Sequence, residues 1–400
     1  MGKSQKKIKI DGFELVKLAT LYIIAWCISP PLSYGTVYRI LTFGAIAYIG
    51  VYYLYINQLK VERYYIAMFC VAIYIIFLSF ATRDSVDRRL AVLITICIIF
   101  CSAVFNKHSN EMEGLFSIVY IVFVLCILWN ICSLIGIAET PNIMRILAKS
   151  SNVSEAYAKR GIGGFGYLYT VLLMLPIGID SMFNRKIKIG YRLCALVFVG
   201  STYILIFQAQ YFLAIILSIL LVAVYSTMKV RNNLLRYLLL LVLFVLFVLA
   251  YVNADKILLY FMNRTDMRAI NLKLQSMYEL LVDGSDIQSS EFSVRVARYK
   301  KSFNYAISHP IVGGGKYSVT GNHSHILDFF AQYGFVLGGI YLSLIMYPFK
   351  ETRKYPVGYT CMLVYIIMLF LNTLAFSFSV VVYIILPLYY HKIKESRDYG

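Results

Sequence analysis

The sequence predicts an all-α, polytopic membrane protein with about 12 transmembrane helices and one large extracytoplasmic loop. Two observations lead to this class. Hydrophobic residues make up 60% of the 400 residues and charged residues only 14%, whereas soluble domains contain about 25% charged residues. Most of the chain is also divided into apolar runs near the length that a helix needs to cross a bilayer, about 20 residues. The exception is one long polar stretch between Asp255 and Asn322.

Twelve apolar runs follow one another along the chain. Nine lie at 13–30, 36–56, 63–81, 89–105, 114–137, 165–183, 190–207, 209–228 and 234–253, and three follow the polar stretch at 325–348, 356–373 and 375–391. They predict three parts: an N-terminal membrane bundle of about nine helices at 1–253, a large extracytoplasmic loop with amphipathic helices at 254–322, and a C-terminal membrane bundle of about three helices at 323–400.

The apolar run from 190 to 228 is interrupted only by Gln208 and Gln210. As a single kinked helix, it would place the lysines and arginines at 350–354 outside, although cytoplasmic loops are the ones enriched in these residues. We therefore expect two helices in a tight hairpin, with both glutamines at its outer tip.

The net charge of +18 comes from cations that collect mainly in short segments between apolar runs. With the N-terminus inside, these segments fall in the cytoplasm and the loop at 254–322 lies outside. Nucleic acid is not an expected partner, because the cations do not form one basic face interleaved with aromatic residues. All eight cysteines lie in apolar segments without a Cys-x-x-Cys pair, so neither a disulfide framework nor a zinc site is indicated.

A cluster of cations lies near the end of the polar stretch, at Arg295, Arg298, Lys300 and Lys301. On a helix, Arg295 and Arg298 share a face, while the two lysines turn partly away. The planar arginine side chain binds two phosphate oxygens at once. The cluster therefore predicts a site for a phosphate-bearing lipid headgroup. The alternative is a solvated face of an amphipathic helix, above all for the lysines.

Asn322, His323 and His325 lie where the polar stretch ends and the next apolar run begins. Imidazole is the usual proton acceptor near neutral pH, and neighbouring cations keep it neutral. We predict that His323 is a general base. His325 is the competing candidate, but it lies about 200° around the helix from His323, so only one of them faces the site. The alternative for His323 is a histidine that caps the helix start or faces water.

Several small and polar residues give predictions about packing. Gly313–Gly315 lacks the context of a phosphate-binding loop and is expected to be a flexible hinge. Gly334 and Gly338 form a small-xxx-small pair that lets a neighbouring helix approach. Asn130 and Asn372 are expected to form hydrogen bonds between helices.

The segment from His323 to Gly334 resembles the histidine motif of the O-antigen ligase and polysaccharide polymerase (Wzy-like) superfamily, in which a glycine lies eleven residues after the histidine. Upstream, residues 293–299 and then 309–315 are similar to the arginine-led amphipathic stretch and closing turn of that family. The resemblance implies a metal-independent glycosyltransferase of the bacterial cytoplasmic membrane, with its site on the extracytoplasmic side. It would take a glycan from undecaprenyl diphosphate and join it to a sugar hydroxyl.

The resemblance also implies roles for individual residues. His323 would be the acceptor-activating base and Arg295 a catalytic contact to the diphosphate. Beside these two, the substrate-binding residues that we expect are Arg298, Lys300, His325, Asn322 and Gln210. Near the outer end of a middle helix, the family often carries a Ser-Arg-Gly-like element. At the corresponding place this sequence reads Phe207-Gln208-Ala209-Gln210 and has no arginine. Arg160, before Gly161, is the expected replacement for that arginine. Neither a metal nor a cofactor is implied.

The function that we expect is therefore a polysaccharide polymerase that joins undecaprenyl-diphosphate-linked oligosaccharide repeats for a capsule, O-antigen or exopolysaccharide. The implied partners are that substrate, the lipid bilayer, a flippase and chain-length regulator proteins. A ligase that transfers finished glycan to another acceptor would carry the same motif. From another class, a lipid-linked oligosaccharide flippase would also have about 12 helices, but should carry several cations within its spans and lack a long outer loop. A scaffolding membrane protein would leave the histidine and arginine arrangement unexplained.

Overall fold

The computed structural model describes residues 12–33, 35–58, 61–82, 90–107, 113–140, 143–147, 151–230, 232–264, 268–282 and 291–390. Over these ranges the regular structure is entirely helical, as expected where each apolar segment must satisfy its own backbone hydrogen bonds in lipid. In chain order the helices are α1 Gly12–Ile28, α2 Pro30–Ser33, α3 Thr36–Ile56, α4 Arg63–Ala81, α5 Leu90–Lys107, α6 Glu113–Glu139, α7 Ile143–Leu147, α8 Ser151–Lys159, α9 Phe165–Phe183, α10 Ile189–Gln208, α11 Phe212–Lys229, α12 Asn233–Val252, α13 Ala254–Met262, α14 Arg268–Val282, α15 Glu291–Ser308, α16 His325–Met346, α17 Phe349–Thr352, α18 Pro356–Leu371 and α19, which begins at Phe376 and reaches Tyr390 through a π-helical turn.

Every predicted apolar run overlaps a helix, which confirms an all-helical membrane protein. Seven of the described helices are long and apolar enough to cross a membrane: α3, α4, α6, α9, α10, α11 and α16. The twelve-span arrangement and the large outer loop remain predictions. The N-terminal lysines and the cations after residue 390, on which the predicted orientation partly depends, lie outside the described residues.

The predicted hairpin between two helices is confirmed. Helix α10 ends at Gln208 and α11 begins at Phe212, so the long apolar run is two helices joined by a tight turn. Gln210 has a φ of 53° in this turn, a left-handed conformation that few residues other than glycine adopt.

Helix α9 is the central element of the bundle. Over its most apolar stretch, 83% of the residues of α9 are buried, a larger share than in any other of the seven membrane-length helices. A polar junction joins it to two neighbours: the Tyr167 hydroxyl donates to Asn130 Oδ1 at 2.7 Å, and Asn130 Nδ2 donates to Thr202 Oγ1 at 3.1 Å. These bonds link α6, α9 and α10 and confirm the predicted role of Asn130, because buried amides need partners in an apolar interior.

The other end of α9 carries a buried carboxylate. Asp180 accepts hydrogen bonds from the hydroxyls of Tyr225 at 2.5 Å and Tyr389 at 2.8 Å, and Lys229 Nζ lies 3.0 Å from it. A charge at such a position is costly unless it is paired and hydrogen bonded. Asp180 meets that requirement by joining α9, α11 and α19.

Helix α16 is broken at Gly334, where φ is 73° and ψ is 175°. The break frees backbone groups that would otherwise bond within the helix. The segment after α15 satisfies them: Gly314 N–H donates to Ala331 O at 2.9 Å, Gly315 N–H donates to Gln332 O at 2.8 Å, and Phe335 N–H donates to Pro310 O at 2.6 Å. The end of α15 is thereby joined to the middle of α16.

This joint corrects two predictions about glycines. Gly313–Gly315 is not a free hinge, because its backbone is hydrogen bonded to the break in α16. Gly334 and Gly338 do not form one surface for a neighbouring helix. A Cβ at Gly334 would overlap the carbonyl of Ile311, and one at Gly338 would overlap the ring of Phe330 from the same helix.

Gly334→Ala should therefore destabilise the protein. A residue other than glycine in this backbone conformation costs roughly 1–3 kcal/mol, and the added Cβ also overlaps Ile311. We expect a melting temperature several degrees below that of the parent in detergent, measured by fluorescence-detected gel filtration after heating. Gly339→Ala is the matched control, since a Cβ at Gly339 meets open space and alanine favours the helix. Equal melting temperatures for the two variants would contradict this account of the break.

Candidate functional site

Helix α15 lies against the first half of α16 and supplies one wall of the site. Ser302 and Ala306 are buried, and Arg295 and Tyr299 are half-buried. These residues recur at three- and four-residue intervals and therefore share one face of the helix. Ser302 and Ala306 give this face two small side chains, and Ser302 contacts Asp328 of α16.

The turn before α16 is held by a buried polar pair. Ser302 Oγ donates to Asp328 Oδ1 at 2.5 Å and accepts from Gly321 N–H at 2.7 Å. Asn322 N–H also donates to Asp328 Oδ1, at 3.3 Å. The turn is thus tied to α15 through Ser302 and to α16 through Asp328. Asn322 is exposed and has a φ of 59°, which asparagine tolerates better than most residues.

Gly321 lets the turn approach α15 closely. A Cβ at this position would overlap the backbone carbonyl of Arg298. Only glycine allows this backbone contact, which brings the following residues beside the Arg298 side chain. Ser324 then begins α16 as its N-cap, and its hydroxyl accepts from Leu327 N–H at 3.3 Å.

His323 meets Arg298 across this contact. Arg298 Nη1 lies 2.6 Å from His323 Nε2. Because arginine can only donate, Nε2 must accept, and the imidazole is neutral with its proton on Nδ1. The pKa of His323 is lowered to about 4, first by burial and then by the positive charges of Arg298 and Arg295. The ring is therefore an unprotonated base at neutral pH.

Arg295 lies one turn before Arg298 and extends the positive potential towards α9. It interacts electrostatically with the hydroxyls of Tyr169 and Tyr299. Tyr299 OH donates to Leu371 O at 2.8 Å. Burial raises the pKa of Tyr299, and the Arg295 charge opposes that rise. The site thus lies between α15, the start of α16, and the ends of α9 and α18.

His325 occupies a different environment from His323. Its side chain is buried, and its Nε2 lies 3.1 Å from the hydroxyl of Tyr341. Its backbone N–H donates to Asn372 O at 2.9 Å. The predicted angle of about 200° between the histidines does not apply, because α16 begins at His325 and His323 precedes its N-cap. His325 faces the bundle, whereas His323 faces Arg298.

Two predicted substrate-binding residues lie on other elements. Arg160 pairs with Glu139 at 2.5 Å rather than with another residue of the predicted site. Gln210 lies in the α10–α11 turn beside Tyr211, whose ring centroid is 6.5 Å from that of Tyr169. Since Tyr169 also interacts with Arg295, this turn borders the site.

The lysines of α15 turn away from His323, as the sequence predicts. Lys300 is exposed, and Lys301 Nζ donates to Ser318 O at 2.8 Å. Sequence reasoning missed Ser302, Asp328 and Gly321, which fix the turn. One signal could have identified Asp328: it is the single acidic residue near the start of an otherwise apolar run. At that position a carboxylate can accept hydrogen bonds from the unpaired backbone N–H groups of the helix start.

Fold and site together define an all-helical membrane protein with a neutral histidine and two arginines at the start of a broken membrane helix. No family model and no curated protein matches the chain. Among the described residues, no three His, Cys, Asp or Glu side chains group as metal ligands.

The charge of Arg298 should control the protonation of His323. Because the arginine disfavours imidazolium, Arg298→Gln should raise the pKa of His323 from about 4 towards 6.5. Diethyl pyrocarbonate modifies only neutral imidazole, so mass spectrometry of labelled protein across this pH range measures the change. Lys301→Gln is the control. It removes a cation from the same helix, but Lys301 contacts Ser318 instead of His323, so His323 in this variant should titrate as in the parent. An unchanged midpoint in Arg298→Gln would mean that the two side chains do not interact.

Proposed function

We propose that the protein is a polysaccharide polymerase of the bacterial cytoplasmic membrane that joins undecaprenyl-diphosphate-linked oligosaccharide repeats on the extracytoplasmic side. The observation that carries this proposal is the neutral His323 held by Arg298, with Arg295 one turn away. A base beside fixed cations suits a reaction in which a hydroxyl loses a proton while a diphosphate leaves. The resemblance of residues 323–334 to the O-antigen ligase and polymerase superfamily supports the same chemistry.

His323 acts as the general base in this proposal. It takes the proton of the acceptor hydroxyl as the oxygen attacks the anomeric carbon of the donor sugar. Arg298 occupies the Nε2 lone pair before substrate arrives. The diphosphate attracts Arg298 more strongly than a neutral imidazole does, because the bond to an anion is charge-assisted. Substrate binding therefore turns Arg298 towards the phosphate and frees Nε2 for the acceptor.

The leaving group is undecaprenyl diphosphate. When the bond between the anomeric carbon and the phosphate oxygen breaks, its electron pair remains on that oxygen. Arg295 and Arg298 stabilise the resulting negative charge, and each guanidinium can bind two oxygens. Arginines supply this stabilisation without a metal in the proposed reaction. Asn322 and Gln210 border the site, Lys300 turns away from it, and Arg160 contributes only after leaving Glu139.

A ligase that transfers finished glycan to another acceptor requires the same bond changes and is the closest alternative. A flippase is less well supported, because a proton acceptor beside two arginines has no evident task in lipid translocation. The proposal includes twelve spans, a site outside the membrane, and a flippase and chain-length regulators as partners.

The orientation can be tested with single cysteines in a background that lacks the eight native ones. Ser318 is exposed near the site, and Lys186 is exposed in the α9–α10 connection. Ser318→Cys should react with a membrane-impermeant thiol reagent in intact cells, whereas Lys186→Cys should react only after permeabilisation, because the cation-rich connection is assigned to the cytoplasm. The reverse pattern would place the site in the cytoplasm.

The chemistry can be tested by complementing a deletion strain with variants at equal membrane abundance. His323→Ala should abolish long polymer, because loss of a general base typically costs 10²–10⁴-fold in rate. Lys301→Ala should form polymer at nearly the parental level, since Lys301 faces Ser318. Glycan profiles of lipid-linked and attached material are the measurement.

Those profiles also separate the alternatives. A polymerase defect leaves single repeats on the carrier or acceptor, whereas a ligase defect leaves unattached polymer. Parental polymer in His323→Ala would remove the base assignment.

A further inference from the structure

Helix α15 carries a second face that the proposed chemistry does not use. Val296, Phe303 and Ile307 are exposed, the last two by 50% and 54%. Their spacings of seven and four residues place them within about 40° around the helix. The exposed Ile311 and Val312 follow directly, and Ile311 is 71% exposed. We refer to these five residues as the apolar stripe.

The apolar stripe is continuous with the outer surface of α16. Pro310 accepts a hydrogen bond from Phe335 N–H at 2.6 Å, and the Ile311 carbonyl abuts Gly334. The large apolar residues exposed on α16 after the break are Phe335, Val336 and Ile340. Helix α16 is long and apolar enough to cross a membrane, so an exposed apolar face on it faces acyl chains. The stripe meets this face where Pro310 and Ile311 contact the break in α16.

Polar residues border the apolar stripe on α15. Lys300, Asn304 and Lys301 are exposed. Measured around the helix from the middle of the stripe, they lie at about 40°, 80° and 140°. A lysine beside a membrane-embedded face can extend its ammonium group to lipid phosphates. This order, apolar then cationic then polar, is typical of a helix that lies in a membrane interface.

We propose that the apolar stripe is embedded among the acyl chains of the bilayer phospholipids. Helix α15 is then in contact with the bilayer beside the first half of α16 instead of projecting into water. Arg295 and Arg298 lie about 100° and about 160° around the helix from the middle of the stripe, so their site is held at the edge of the bilayer, close to the lipid phosphates. Lipid contact by the stripe goes beyond the proposed polymerase activity and does not depend on it. Phospholipid is favoured over a second protein because the stripe continues the lipid-facing surface of α16.

Photocrosslinking tests this proposal directly. The photoreactive amino acid p-benzoylphenylalanine would replace Phe303 or Ile307 on the stripe, and Lys301 or Asn304 on the polar side. The purified full chain would be placed in nanodiscs of phosphatidylethanolamine and phosphatidylglycerol, illuminated and digested. Mass spectrometry should find phospholipid adducts at 303 and 307 at least several-fold more often than at 301 and 304. Val296 provides another stripe position if a variant does not elute as a single species.

Two results would overturn the proposal. Equal phospholipid adducts at stripe and polar positions, or none at the stripe, would mean that this face is not embedded. Adducts to a protein after illumination of cell membranes, in place of lipid, would mean that a partner chain or a second copy covers it. Neither result depends on glycan transfer, so the failure of this proposal is distinguishable from failure of the polymerase assignment.

Discussion

The structure of the site depends on the hydrogen bonds that close the break in α16. In a membrane, a helix cannot leave its backbone groups without partners, because lipid offers no substitute for water. The break at Gly334 can therefore persist only where another backbone supplies those partners. Gly314 and Gly315 do so by donating to Ala331 and Gln332. This requirement fixes the end of α15 against α16 and makes the polar segment between them part of the bundle.

The geometry around His323 follows from that attachment. Once α15 is fixed beside α16, Ser302 faces Asp328 and can join the two helices. Gly321 then packs against the backbone of Arg298, and His323 reaches the arginine side chain. The histidine is oriented by a sequence of backbone contacts and by one buried carboxylate. Changes at Ser302 or Asp328 would therefore act through His323 without touching a substrate.

The sequence predicted the helices well because the length of an apolar run is a local property. It also predicted the α10–α11 turn from Gln208 and Gln210, and it singled out His323 and Arg298 by residue type. It placed an apolar run from residue 325, where α16 begins, but it wrongly treated His323 as part of that helix, because the Ser324 cap follows His323. The partner of Arg160 and the role of Gly313–Gly315 were also missed, because both depend on residues distant in the sequence.

The pairing of Arg298 with a neutral histidine leaves a positive charge without an anion. Within the described residues, neither Arg295 nor Arg298 forms an ion pair, and Asp328 is engaged by Ser302 and the backbone of the turn. Guanidinium groups bind anions more strongly than they bind imidazole. An anion entering here would bind both arginines. Arg298 would then leave His323, and the lone pair of His323 Nε2 would be free. The same event would thus bind the anion and free the base, and under the proposed function a single movement of Arg298 would link substrate recognition to catalysis.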